Sequence, residues 1–277
     1  MSKIIRQLHH GAARKSAGRR SFSCLQDLLS HYGRTAPDRD AILAPGRHPM
    51  KYGALWMQTS DIVRALRNIG VGRTDRVAVV LPDGAEAAVA MLAVAAGAVC
   101  VPLNPGFTDD EYRRYFGELR LAALLTHADS NSASRRAAHT LGIPVIEIVT
   151  RPHDGAGAFS VVGEAPHRAV DDEFASGADD AFMLLTSGST SWPKTVPLTH
   201  ASVCLSACNV GTALELGSRD RLLSVLPLFH GHGLISGLLA ALVAGSSVVC
   251  TPGFDARAFF AHKHVMGGLD MVNQIGQ

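Results

Sequence analysis

Residues 182–200 read FMLLTSGSTSWPKTVPLTH. An apolar run ends in Thr186, Ser187, Gly188, Ser189, Thr190 and Ser191, and Lys194 follows after Trp192 and Pro193. Short hydroxyl side chains and consecutive backbone N–H groups form a concavity of partial positive charge that can wrap anionic oxygens. Lys194 adds a full charge. A hydrogen bond to a charged acceptor contributes about 1.5–3 kcal/mol, so a few together would hold a triphosphate. The spacing is not that of the common nucleotide loop G-x-x-x-x-G-K-[ST], because Gly188 is followed by Lys194 with Pro193 directly before it. Pro193 also opposes a loop that runs straight into a helix through Trp192 and Lys194. By composition alone, a polar surface turn accounts for the same residues equally well.

Other constellations carry less. His230 and His232 form an H-x-H pair after the run LPLF, but no carboxylate or cysteine set completes a four-ligand shell, so no metal site is expected. Cys204 and Cys208 lie four apart on one face of an expected helix, where core packing is the simpler role. Trp192 either stacks on a base or covers its own loop. HGHG at 230–233 faintly resembles the oxyanion loop of α/β-hydrolases, but no G-x-S-x-G nucleophile elbow occurs in the chain. A dinucleotide-binding oxidoreductase is excluded in the same way, for lack of G-x-G-x-x-G after a strand.

The elements that would position these residues alternate along the chain. SCLQDLLSHYG has helical spacing and stops at Gly33; DIVRALRNIGVG does the same and ends at Gly70 and Gly72. DRVAVVLP is a short apolar run closed by Pro82 and reads as a strand. GAEAAVAMLAVAAGA reads as a helix, VCVPLNP as a strand, DDEYRRYFGEL as a helix with acids in its first turn, LAALLTH as a strand, SASRRAAHTLG as a helix and IPVIEIV as a strand. Residues 151–178, rich in Gly, Pro, Asp and Ala, read as a surface connection. A second series follows: strand AFMLL, the hydroxyl-rich loop, helix HASVCLSACNVGTALEL, strand DRLLSVLP, a buried helix and strand SSVVCTP. Such alternation predicts an α/β fold with parallel sheets covered by helices on both faces. LISGLLAALVAGSSVVC, residues 234–250, is helix-like only to about Val243, half the roughly 20 residues of a spanning helix, so a buried helix feeding a buried strand is expected.

Totals agree with a globular chain. Its 277 residues are 47% apolar and 18% charged, and a formal net charge of +2 gives no reason to expect a nucleic-acid partner. The positive excess lies at the start: residues 1–20 contain Lys3, Arg6, Arg14, Lys15, Arg19 and Arg20 and no carboxylate. A frayed basic tail over residues 1–21 is preferred to an organellar transit segment, and the lack of an apolar h-region disfavours secretion. Five scattered cysteines with no C-x-x-C pair fit reduced thiols in the cytoplasm.

The order of residues in LLTSGSTSWPKTVPLTH closely resembles the phosphate-loop signature of adenylate-forming (AMP-binding) enzymes of the acyl-CoA synthetase type. Thr186, Ser187, Gly188, Ser189, Thr190, Pro193, Lys194 and Val196 match it; Ser191 and Thr195 stand where that family usually has glycine, and the wording is most similar to the oxalate–CoA ligase branch. GAVCVPLNPGFTDDEYRRYF and LPLFHGHGLISGLLAALVAGSSVVCTPGFDARAFF resemble two further family motifs, in family order. The resemblance covers roughly Phe22 to Phe260. It implies two stacked αβ subdomains, here 22–178 and 179–260, and a two-step reaction. A small carboxylic acid attacks Mg-ATP to give acyl-adenylate and pyrophosphate, and coenzyme A then displaces AMP. It implies that Thr186, Ser187, Gly188, Ser189, Thr190 and Ser191 hold ATP phosphates, that Lys194 neutralises departing pyrophosphate, and that His230 borders the carboxylate. After residue 260 the text HKHVMGGLDMVNQIGQ no longer resembles the family, and the adenine-binding motifs and C-terminal catalytic domain are not found; a truncated or frameshifted product is expected, with 261–277 an aberrant tail.

Overall fold

In the larger sheet the short apolar runs become parallel strands because helices cover both of their faces. The computed structural model describes residues 21–128, 132–162, 173–186, 194–254 and 271–272. In it β3 (Arg76–Val79), β4 (Val99–Pro102), β5 (Ala123–His127) and β6 (Val145–Thr150) are mutually parallel and hydrogen-bonded in the order β6-β5-β3-β4. β7 (Phe159–Val162) closes one edge antiparallel to β6. On the other side β8 (Asp180–Thr186) pairs parallel to β4, and β9 (Lys194–Thr199) returns antiparallel to β8. A second sheet has the order β12-β10-β11-β1-β2, from β12 (Met271–Val272), β10 (Arg221–Ser224), β11 (Ser247–Cys250), β1 (Asp40–Leu43) and β2 (Met50–Lys51).

Between the sheets lie α1 (Leu25–Thr35), α2 (Tyr52–Asn68), α3 (Ala85–Gly97), α6 (His200–Ala213), a π-helical segment His232–Leu239 and α7 (Ala240–Val243). α4 (Asp109–Leu119) and α5 (Ala133–Thr140) pack on the far face of the larger sheet, over Ala78, Val80, Val99 and Val101. The composition of α3 explains its place. Every residue in it except Glu86 is buried, and a helix that is apolar all round has no face to give to water. It touches β3, β4 and β8 of one sheet and β11 of the other. The α/β class with mostly parallel sheets in two layers is therefore the observed architecture, with β2, β7 and β9 antiparallel to their neighbours.

Four details differ from the sequence expectation. Helical spacing stops at Gly33, yet α1 continues to Thr35. Gly33 serves packing instead of termination: a Cβ there would lie 2.6 Å from Trp56 Cβ on α2. The stretch 151–178 is not simply surface connection, since Ala156, Ala158 and Phe159 are buried and β7 is a strand of the larger sheet. The buried helix expected before β11 begins as eight residues of π-helix, a form that spacing alone does not announce. Lastly, sheet membership crosses position 178. β8 and β9 extend the sheet of β3 to β7, while β1, from early in the chain, pairs with β11.

Candidate functional site

The strand that precedes the hydroxyl-rich residues is β8, and Lys194 opens β9, so the two form a hairpin. Thr186 and Lys194 are its last register pair, and Thr186 Oγ1 donates to the Lys194 carbonyl at 3.1 Å. Directly opposite residues of an antiparallel pair project from the same face. Both residues are exposed. Seven residues, 187–193, connect them; Ser187, Gly188, Ser189, Thr190 and Ser191, with Trp192 and Pro193, lie outside the described residues. The period of two along β8 puts Phe182, Leu184 and Thr186 on one face. Phe182 and Leu184 belong to the core between the sheets, while Met183 belongs to the outer core.

His230 approaches from that same inner side. Its N–H donates to the Pro227 carbonyl at 3.2 Å and closes a tight turn, and its own carbonyl accepts the Leu234 N–H at 3.0 Å. The next residue packs against β8: a Cβ on Gly231 would sit 3.2 Å from Leu184 Cδ1. Gly233 cannot carry a side chain without displacing backbone, because a Cβ would be 2.4 Å from the Pro227 carbonyl oxygen. The turn then enters the π-helical segment His232–Leu239. His230 itself is exposed, its ring centroid 4.5 Å from that of Phe229. Thus the fold pairs Thr186 with Lys194 and brings the His230 turn against the same strand, two residues before Thr186.

One residue at this edge was not singled out by its sequence context. Asp83, in the loop between β3 and α3, accepts the Leu228 N–H on Oδ1 at 2.9 Å. Burial raises its carboxyl above the usual carboxylate range, while the Leu228 N–H and the neighbouring His230 ring oppose that rise. Pro-Asp-Gly after a strand is the only signal the sequence offers, and it signals a turn. Among the described residues no group of three or more His, Cys, Asp or Glu is arranged to hold a metal ion, and no helix is long and apolar enough to cross a membrane.

Residues 29–269 match the family model described as AMP-binding enzyme. The chain belongs to that family. Two relatives are 34% identical: a probable CoA ligase, CCL9, from Humulus lupulus over 242 residues, and an oxalate–CoA ligase from Arabidopsis thaliana over 248 residues. These matches take in 86% and 85% of this chain and 46% and 47% of the relatives, so the chain spans a little under half their length. The crystal structure of ATP-bound MatB from Rhodopseudomonas palustris superposes with a TM-score of 0.73 at 23% identity, over 87% of this chain and 48% of MatB, which is a likeness of fold. The AMP-binding match runs nine residues past position 260, where the motif resemblance stops, and β12 follows it as a short parallel strand on β10.

Proposed function

We infer that this chain carries the phosphate-gripping part of an acid–thiol ligase of the acyl-CoA synthetase type. A carboxylate oxygen of a small acid attacks the α-phosphorus of Mg-ATP, the bond to pyrophosphate breaks, and an acyl-adenylate forms. The sulfur of coenzyme A then attacks the acyl carbon, AMP leaves, and the thiol proton passes to solvent. Phosphoryl transfer gains most from positioning and charge stabilisation. The Thr186, Ser187, Ser189, Thr190 and Ser191 hydroxyls and the Gly188 N–H hold the β- and γ-phosphates. Lys194 offsets charge as pyrophosphate leaves, and His230 borders the reacting carboxylate. Partners are thus small molecules, with neither nucleic acid nor membrane required. Five free thiols, four of them buried, suit the cytoplasm.

The observation that carries this reading is the hairpin mouth. Thr186 and Lys194 stand opposite each other at its end, with the His230 turn packed on the same strand. The test is acyl-adenylate formation by the purified chain with Mg-ATP and a panel of short carboxylic acids, including oxalate. Adenylate is expected, and Lys194→Ala is expected to reduce its rate by about 100-fold. Undiminished adenylate formation in Lys194→Ala overturns the assignment of that lysine. A second reading is that residues 1–277 by themselves bind nucleotide phosphate without turnover. Calorimetry that detects ATP binding in the absence of any adenylate selects it.

A further inference from the structure

Asp83 is separated from the His230 turn by 145 residues of chain and joined to it by one hydrogen bond. Leu228 is the second residue of the Pro227–His230 turn, so its N–H points out of the ring that the His230 N–H closes. Leu228 is buried, and a buried N–H must find an acceptor. Asp83 Oδ1 is that acceptor at 2.9 Å. The bond runs from the β3–α3 loop of the larger sheet to the turn after β10 of the smaller one, at the carboxyl ends of both strands. Gly84, directly after Asp83, has φ +151 and accepts the Ala88 N–H as α3 begins. Asp83 therefore stands directly before the start of a helix that is buried except at Glu86. Besides His230, it shares its surroundings with the Cys250 thiol, which also feels Glu86. Glu86 in turn is paired with Arg47. Next to the turn, a Cβ on Gly231 would lie 3.2 Å from Leu184 Cδ1.

We propose that Asp83 is the positioning residue for His230: by holding the Leu228 N–H it sets how the turn lies against β8, and so where the imidazole stands relative to the Thr186–Lys194 hairpin mouth. The turn is held by this bond, and the residue after it, Gly231, lies close to Leu184 of β8. Loss of the bond leaves the Leu228 N–H without its acceptor and lets the turn shift against its other contacts. An asparagine would keep the oxygen acceptor and lose the charge; an alanine would lose both. The catalytic consequence rests on the adenylation reading, but the positioning itself does not.

The experiment uses the full chain labelled with 15N-leucine and 13C-histidine, with Leu228→Met and His230→Gln assigning the two signals. In the unaltered chain the Leu228 amide resonance is expected to follow the titration of a carboxylate on acidification. In Asp83→Asn that titration disappears, while amide exchange stays within about twofold. In Asp83→Ala exchange at Leu228 is expected to quicken by about 10-fold and the His230 signal to move, with the Leu92 amide of α3 unchanged. A Leu228 amide that still titrates in Asp83→Asn overturns the proposal, even if Asp83→Ala does not fold. So does an unmoved His230 signal in a folded Asp83→Ala. Where adenylate formation is measurable, Asp83→Ala is expected to lower kcat about 10-fold at unchanged KM for ATP, and Asp83→Asn to restore most of it. Absence of adenylate in the unaltered chain counts against the adenylation reading and leaves the two signals to decide the positioning.

Discussion

Burial decides the chemistry of His200. It is the first residue of α6, fully buried, and its Nδ1 accepts the Leu25 N–H at 3.3 Å, which ties α6 to the start of α1. Loss of water around the ring pushes its pKa down to about 4, against the opposing pull of the Asp179 and Asp27 carboxylates. The folded chain therefore keeps this imidazole neutral at pH values where the unfolded chain, with an ordinary histidine, takes up a proton. Between pH of about 6.5 and 4 the unfolded state binds more protons, so stability falls as pH falls, by roughly 3 kcal/mol across the window. Urea midpoints of the unaltered chain and of His200→Gln, compared at pH 6.5, 5.5 and 4.5, check this. The variant is expected to start less stable and to lose less on acidification. At this scale the sequence is legible where residues sit together in the chain: Thr186 and Lys194 fall in one stretch, and His230 directly follows the run LPLF in another. Asp83 is not legible, because its partner N–H is supplied by a turn distant in sequence and only the fold brings the two into range.

Elements were readable where an amphipathic period or a cap marks them. α4 begins at Asp109 because Thr108 and Glu111 form a reciprocal capping box: the Thr108 hydroxyl accepts the Glu111 N–H and the Glu111 carboxylate accepts the Thr108 N–H. Thr108→Ala is expected to cost about 1 kcal/mol in chemical denaturation. Strands β7 and β9 were not readable. β7 lies in a Gly- and Ala-rich stretch, and β9 carries Pro197 and four exposed residues, which an edge strand tolerates. Gly33 misleads for a physical reason as well, since glycine both ends helices and permits close helix crossings. Gly33→Ala separates these roles. A glycine inside α1 with room for a side chain would gain about 1 kcal/mol of helix propensity on replacement by alanine. Here the new Cβ would lie 2.6 Å from the Trp56 Cβ, an atom next to backbone that cannot swing aside. Overpacking of about 1–3 kcal/mol outweighs the gain. The variant is expected to unfold at lower urea with a shifted tryptophan emission.

At the scale of the whole molecule, the alternation of helix and strand indicated parallel sheets but not which strands share one. Alternating elements constrain neighbours in sequence. The pairing of β1 with β11, Ile42 to Val248 and Leu43 to Val249, joins residues near opposite ends of the described chain. Likewise β8 is hydrogen-bonded to β4, with Phe182 beside Cys100. A cut between residues 178 and 179, where composition changes, therefore breaks both sheets. The first piece would keep β1 and β2 without β10 and β11, and would expose the β4 edge. The second would keep the β8–β9 hairpin with nothing on its other edge, and an isolated hairpin is marginal in water. α3 would lose β8 and β11, two of the strands it touches, and expose apolar surface on a helix with no polar face. Residues 1–178 and 179–277, expressed separately, are each expected to lack a cooperative urea transition and protected amides. The uncut chain is expected to unfold in one transition, seen alike by far-ultraviolet circular dichroism and tryptophan emission. A cooperative transition in either piece alone would mean that the contacts crossing position 178 contribute little. The hairpin mouth and the His230 turn would then be held by the second piece without help from the sheet that β8 joins.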